Sequence, residues 1–281
     1  SRRRHTRYWR DWSSDVCSSD LPARSWGILY GPPGSGKSFF SLSLALAMAA
    51  GERWTGVQLE PSSVLYVIAE RADVVTEREL AWTLHRERGI PAGFADLAWA
   101  PNIATDQDLG ILLNIVSELR PRLVVLDTFA RCILGRDENS ALDMGPVVEN
   151  LTHLAEATDR GAVLVVHHTG KDVSRGLRGS TALLGGADFT YEVAGDPTAI
   201  RVTPQKLNAG PRNAASWWKL QGQLLPALPG TNEMRSGAVL LPTTGKDAGG
   251  SRLPDLLRLM AASWAESGVT RREVEELLEV K

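Results

Sequence analysis

The sequence predicts an α/β fold: a mainly parallel sheet covered by helices on both faces, with an antiparallel β extension on its C-terminal side. Three observations predict it. Short apolar runs alternate with helix-length periodic segments, and a complete G-x-x-x-x-G-K-[ST] motif joins the first such run to the first such helix. After Ala187 the texture changes to short β-rich runs separated by turn residues.

Taken in order, residues 27–30 read as a buried strand and 39–50 as the helix after it. The pairs 64–69 with 74–88, and 123–126 with 144–158, repeat the pattern, and 162–166 supplies a further buried strand. Residues 189–193, 199–204 and 216–220 are rich in β-formers and have no helical periodicity between them, so they are expected to extend the sheet antiparallel. Residues 242–252 read as a linker, which makes 22–241 the main domain. Beyond it, residues 253–281 carry Leu and Met at helical spacing, then Thr270 as N-cap with Glu273 three residues on. This reads either as the opening of a possible winged helix-turn-helix, truncated at Lys281, or as a C-terminal helical hairpin.

The first twenty-one residues stand apart. Residues 11–21 resemble the conceptual translation of a common sequencing-library adapter, so 1–21 read as a non-native, disordered segment and are set aside from fold reasoning. Setting them aside removes five arginines and three aspartates from totals of 31 basic and 33 acidic residues, leaving 26 and 30. The apparent basic arm is therefore no evidence for nucleic acid. Cys17 goes with it, and Cys132 alone remains, which excludes an intramolecular disulfide or a cysteine-rich zinc site and fits a reducing cytoplasm. No stretch approaches the roughly 18 apolar residues of a membrane span. A soluble, cytoplasmic protein is expected.

The motif GPPGSGKS occupies residues 31–38. Glycines there allow backbone amides to turn inward around phosphates, and the following helix adds the positive end of its dipole. Gly31, Pro32, Pro33, Gly34, Ser35, Gly36, Lys37, Ser38 and Phe39 are thus the expected ATP-binding residues. Lys37 would reach the β- and γ-phosphates, and the Ser38 hydroxyl is suited to Mg²⁺.

Acids and bases close three later strands. Asp127 ends the apolar run LVVLD, where a Walker B carboxylate orients the Mg²⁺ shell. Glu70 ends VLYVIAE and is placed to act as general base on the attacking water. His167 and His168 end AVLVVHH, and strand alternation sends one to the nucleotide and the other into packing. No third ligand of suitable spacing accompanies them, which argues against zinc. Downstream, Arg178 in the glycine-rich run RGLRGSTALLGGAD is a candidate arginine finger acting across a ring, with Lys206 and Arg212 as further trans candidates.

Together LYGPPGSGKSFFSLSLALAMAAG, VLYVIAER, LVVLDTFARC, DENSALDMG, VVHHTGK and RGSTALLGGAD closely resemble the RecA-superfamily ATPases of the plasmid RepA type, commonly described as AAA-family ATPases. The resemblance spans residues 22–225 and is loosest over the last two strands. It implies a RecA-like P-loop NTPase core in a homohexameric ring, with ATP and Mg²⁺ between subunits and single-stranded DNA in the channel, acting as a replicative helicase of a plasmid, phage or other mobile element. It also implies Lys37 and Ser38 on phosphate and Mg²⁺, Glu70 as catalytic carboxylate, Asp127 as Walker B acid, His168 as phosphate sensor and Arg178 as finger. The segments expected to face DNA, residues 131–144 and 169–180, carry nearly balanced charge, so DNA binding rests on the resemblance. Two other readings stand beside it: a recombination or signalling ATPase of the same superfamily without unwinding activity, and a nucleotide-gated DNA-binding regulator.

Overall fold

The computed structural model of the protein describes residues 16–17, 21–169, 181–208, 214–228 and 234–244. Nine strands among them make one sheet: β1 (Ser25–Gly31), β2 (Val64–Ile68), β3 (Phe94–Leu97), β4 (Leu123–Asp127), β5 (Ala162–His168), β6 (Phe189–Asp196), β7 (Ala199–Leu207), β8 (Ser216–Leu225) and β9 (Arg235–Thr243). Their spatial order is β9-β8-β7-β6-β1-β5-β4-β2-β3. The six strands from β6 to β3 run parallel, and β7, β8 and β9 add on antiparallel. Among the described residues, two short ribbons lie outside this sheet, Val16–Cys17 with Leu21–Pro22 and Arg53–Trp54 with Val57–Gln58.

Among the described residues, five α-helices cover the sheet: α1 (Lys37–Ala50), α2 (Ala72–Arg86), α3 (Asp106–Leu119), α4 (Ala141–Ala157) and α5 (Thr181–Gly186). Strand alternation divides the core between the two faces. Leu123 and Val125 of β4 join Leu164 and Val166 of β5 under α1 and α2, packed against Leu42, Leu46, Val75 and Trp82. Val124 and Leu126, with Val163 and Val165, turn the other way, toward Leu112 and Val116 of α3 and Val147 and Leu151 of α4. This is the two-faced burial that continuous apolar strands require. No helix among the described residues is long and apolar enough to cross a membrane.

The structure sharpens the sequence reading in three places. Strand β6 pairs parallel with β1, Phe189 opposite Gly27, so the antiparallel extension begins one strand later than expected, at β7. The cause is the crossover carrying α5, which packs on α4 over one face of the sheet and brings the chain back in the direction of β1. Strand β3, helix α3 and strand β9 lie outside the runs that the sequence marks. Helix α3 nevertheless buries Leu109, Leu112 and Val116 at helical spacing. At the far side, β9 continues to Thr243, two residues past the expected end of the domain, while the possible winged helix-turn-helix lies outside the described residues.

Candidate ATPase site

The parallel order puts β1 between β5 and β6, and residues 31–38 leave the carboxyl end of β1 to begin α1. This is the crevice where an open α/β sheet binds its ligands. The loop is packed too closely for side chains at two points. A Cβ on Gly31 would lie 2.1 Å from the Val193 carbonyl oxygen, and one on Gly36, whose φ is +94°, would lie 2.5 Å from Ile200 Cδ1. The antiparallel extension therefore shapes the loop directly, through Ile200 of β7.

Lys37 is buried and its amine donates to the carbonyls of Gly31 at 2.9 Å and Pro32 at 2.8 Å. Burial brings its pKa down to about 8, against the pull of the Asp127 carboxylate, which favours the charged form. Ser35 Oγ is buried with no hydrogen-bond partner among the described residues. Such an orphan is expected where a phosphate oxygen is the missing acceptor.

Asp127 sits at the end of β4, on the same face as α1. Its Oδ2 accepts a 2.6 Å hydrogen bond from the Tyr66 hydroxyl of β2, and Ser38 contributes a second side-chain hydrogen bond. Burial raises the Asp127 pKa, opposed by Tyr66, by Ser38 and by the charges of Arg78 and Lys37. Ser41 lies 2.9 Å from the Tyr66 oxygen, and since Tyr66 gives its proton to Asp127, Ser41 donates to Tyr66. A chain of hydrogen bonds thus runs from α1 through β2 to the carboxylate and back to Ser38.

Glu70 is exposed one residue beyond Ala69, whose amide continues the β2–β4 ladder by donating to the Asp127 carbonyl at 2.8 Å. Its Oε2 accepts from Thr128 Oγ1 at 3.3 Å, so the tips of β2 and β4 are bridged. His168 and His167 split as alternation demands. His168 lies on the Lys37 face: burial lowers its pKa, Lys37 pushes the same way, and Glu70 and Asp127 oppose them. Its Nδ1 has no partner among the described residues. His167 turns to the opposite face, edge-on to Phe129 at 5.4 Å, with Nε2 3.6 Å from Glu138.

Lys37, Ser38, Glu70, Asp127 and His168 therefore gather around the end of the loop. Phe39 turns aside, with the Arg78 guanidinium 4.1 Å over its ring. Lys206 is engaged elsewhere, donating to the carbonyls of Leu184, Gly185 and Ala187 at the end of α5. Arg178 and Arg212 lie outside the described residues. Tyr66, Ser41, Thr128 and Arg78 complete the site and were not singled out in the sequence. Tyr66 is the one polar member of VLYVI, in phase with Glu70, and Ser41 falls one helical turn after Ser38, signals that alternation and helical spacing could have raised.

The residues fit ATP with Mg²⁺. The hydroxyl of Ser38 and the carboxylate of Asp127 are hard oxygen donors of the kind Mg²⁺ takes while keeping several waters. The loop amides, the helix terminus and Lys37 suit phosphates.

A family model described as "AAA domain" matches residues 13–174, more than half of the chain, and takes in all five residues of the cluster. The match begins inside the opening segment that the sequence sets apart. No curated protein matches significantly. Among solved structures, a KaiC-like protein of the hyperthermophilic archaeon Pyrococcus horikoshii OT3 is similar with a TM-score of 0.52 at 15% identity, over 79% of this chain and 91% of its own. The RadB recombinase is similar with a TM-score of 0.50, also at 15% identity, over 71% of this chain and 88% of its own. At such identity the likeness is one of fold, the RecA-like P-loop architecture.

Proposed function

The chain belongs to the AAA domain family and is an ATP-hydrolysing P-loop enzyme of the RecA/AAA+ superfamily; from that premise we propose that it works as a recombination- or signalling-type ATPase, in which hydrolysis drives a shape change of a homo-oligomer. The observation that carries the hydrolytic part of this reading is the convergence of Lys37, Ser38, Asp127 and Glu70 at the carboxyl ends of β1, β4 and β2, with Thr128 tying Glu70 to the Asp127 strand.

In this reading Lys37 exchanges the Gly31 and Pro32 carbonyls for phosphate oxygens, and the Ser35 hydroxyl finds its acceptor there. Ser38 and Asp127 would hold the metal shell, and Tyr66, hydrogen-bonded to Asp127, would keep its carboxylate oriented. ATP supplies the anhydride bond and Mg²⁺ the Lewis acid that draws charge from the terminal phosphates. Glu70, exposed and held by Thr128, orients the attacking water and accepts its proton. His168 reports the terminal phosphate to the β5 strand end. Arg178 of a neighbouring copy is the proposed finger, with Arg212 as a further trans candidate. Lys206 would first have to give up three carbonyls.

A second reading, the RepA-like replicative helicase moving on single-stranded DNA in a hexameric ring, is favoured by the order and spacing of the six motifs from the loop to RGSTALLGGAD. Both are tested with the full chain by measuring ATP turnover with and without single-stranded DNA, and strand separation of a forked duplex. Turnover without strand separation supports the proposal. ATP-dependent separation that is lost in Glu70→Gln overturns it in favour of the helicase. Undiminished turnover in Lys37→Ala would remove the site altogether.

A further inference from the structure

Arg78 lies on α2, two turns after Glu70, and its place in the molecule is unusual for a helix arginine. The guanidinium is stacked 4.1 Å over the ring of Phe39, the residue that follows Ser38 at the start of α1. The residue is half-buried, and its Nε is fully buried without a hydrogen-bond partner among the described residues. Burial works against its charged form first, the neighbouring Tyr66 oxygen and Asp127 carboxylate favour that form, and the Arg71 charge opposes it. The charges of Arg78 and Lys37 both favour the ionised form of Asp127, and the Lys37 amine is occupied by loop carbonyls.

These contacts have one arrangement in common. A buried carboxylate with two hydroxyl donors still needs positive charge nearby, and in this site a guanidinium supplies it from the α2 side. We propose that Arg78 is a positioning residue of the ATPase site: stacked on Phe39, it is the resident counter-charge of the Asp127–Tyr66 pair and sets how tightly a divalent cation is taken up beside Ser38. The inference rests on the ATPase reading of the site.

Two consequences distinguish this from a packing role. A cation held near Asp127 competes with a divalent ion for the same field, so the guanidinium weakens metal uptake and eases its release with product. Because α2 begins just after Glu70, the Arg78–Phe39 stack also joins the helix behind Glu70 to the helix that carries Lys37 and Ser38. The planar guanidinium serves the stack, and the charge serves the metal site.

The test is equilibrium binding of a fluorescent methylanthraniloyl-ADP to the full chain, with Mg²⁺ titrated at fixed nucleotide and a parallel series in EDTA. Arg78→Met keeps the apolar stem and removes the charge. The expected result is a fall of about tenfold in the Mg²⁺ concentration for half-maximal binding, with slower release of the nucleotide in Mg²⁺ and little change in EDTA. Arg78→Lys should return the Mg²⁺ requirement most of the way to that of the wild type, while Phe39→Leu, which removes the platform and leaves the charge, should shift it less than Arg78→Met. An unchanged Mg²⁺ requirement in Arg78→Met, or equal weakening with and without Mg²⁺ and no recovery in Arg78→Lys, overturns the proposal and leaves the ATPase reading in place. If the wild-type chain binds no adenine nucleotide, both fall together.

Discussion

The Tyr66 hydroxyl donates a 2.6 Å hydrogen bond to Asp127 Oδ2, and both residues are buried on the face of the sheet beneath α1. Phenylalanine in place of Tyr66 would leave Asp127 with one donor fewer and Ser41 with only the Ser38 carbonyl, at 3.3 Å, as its acceptor. Unsatisfied buried polar groups cost about 1–3 kcal/mol each, so Tyr66→Phe should lower stability by an amount in that range and raise the Mg²⁺ needed for nucleotide binding several-fold. Urea denaturation and a Mg²⁺ titration measure the two effects. A variant as stable as the wild type with the same Mg²⁺ requirement would show that the hydroxyl is idle.

Gly31 and Gly36 should fail differently when replaced by alanine. At Gly31 the new carbon meets a backbone oxygen of β6, which cannot move without opening the β1–β6 ladder. At Gly36 it meets the end of the Ile200 side chain, which can rotate, although the positive φ adds strain of about 1–2 kcal/mol. Gly31→Ala is therefore expected to lose most of its folded population, and Gly36→Ala to remain folded with impaired nucleotide binding. Thermal melts and a nucleotide-binding titration separate them, and the reverse order of damage would contradict the packing described.

Legibility in the sequence followed the range of the interactions. The phosphate loop is written in eight consecutive residues, and Glu70, Asp127 and His168 were locatable because each ends an apolar run whose parity fixes the side of the sheet it serves. Tyr66 and Arg78 matter through neighbours that are distant in sequence, Asp127 for one and Phe39 for the other, so that even where a residue stands out, as Tyr66 does in VLYVI, its partner does not. The direction of β6 was hidden for a similar reason, since the chain between β5 and β6 decides it. Helix α3 escaped because Gly110 and Asn114 dilute a periodicity that Leu109, Leu112 and Val116 nonetheless keep.

Glu79, on α2, gives the fold a pH dependence of its own. Half-buried beside Asp96 of β3, with Oε1 lacking a partner among the described residues, it has a carboxyl pushed up to about 7, by burial first and by Asp96 second. The folded chain thus keeps this proton up to about pH 7, whereas the unfolded chain releases it near 4.5. Where the native state binds more protons, stability falls as pH rises, so the loss accumulates between these values and is complete above them. Glu79→Gln should accordingly raise the urea midpoint at pH 8 and leave it unchanged at pH 4. Equal gains at both pH values would assign the effect to something other than this carboxyl.

The aromatic group beside the loop supplies the last expectation. Phe40 of α1 stands edge-on to Trp54 at 5.4 Å and to Trp218 of β8 at 5.5 Å, and the two indoles stack at 4.4 Å. Trp218 is buried, and a cavity of about 500 Å³ already lies next to the group, lined by Phe40, Leu44, Trp54 and Val202. Truncating Trp218 would enlarge empty apolar space that the surroundings have not closed, so Trp218→Ala should cost about 3–5 kcal/mol. Phe40 follows Lys37 by three positions on α1, and its loss of support should also weaken nucleotide binding. Trp218→Phe preserves an apolar ring and should recover most of both losses. Urea denaturation followed by far-ultraviolet circular dichroism gives the stability of each variant, and nucleotide titration gives the affinity. If Trp218→Ala loses stability while the surviving folded protein binds nucleotide as the wild type does, the antiparallel extension does not support the loop through Phe40, and Ile200 against Gly36 is left as its contact with the site.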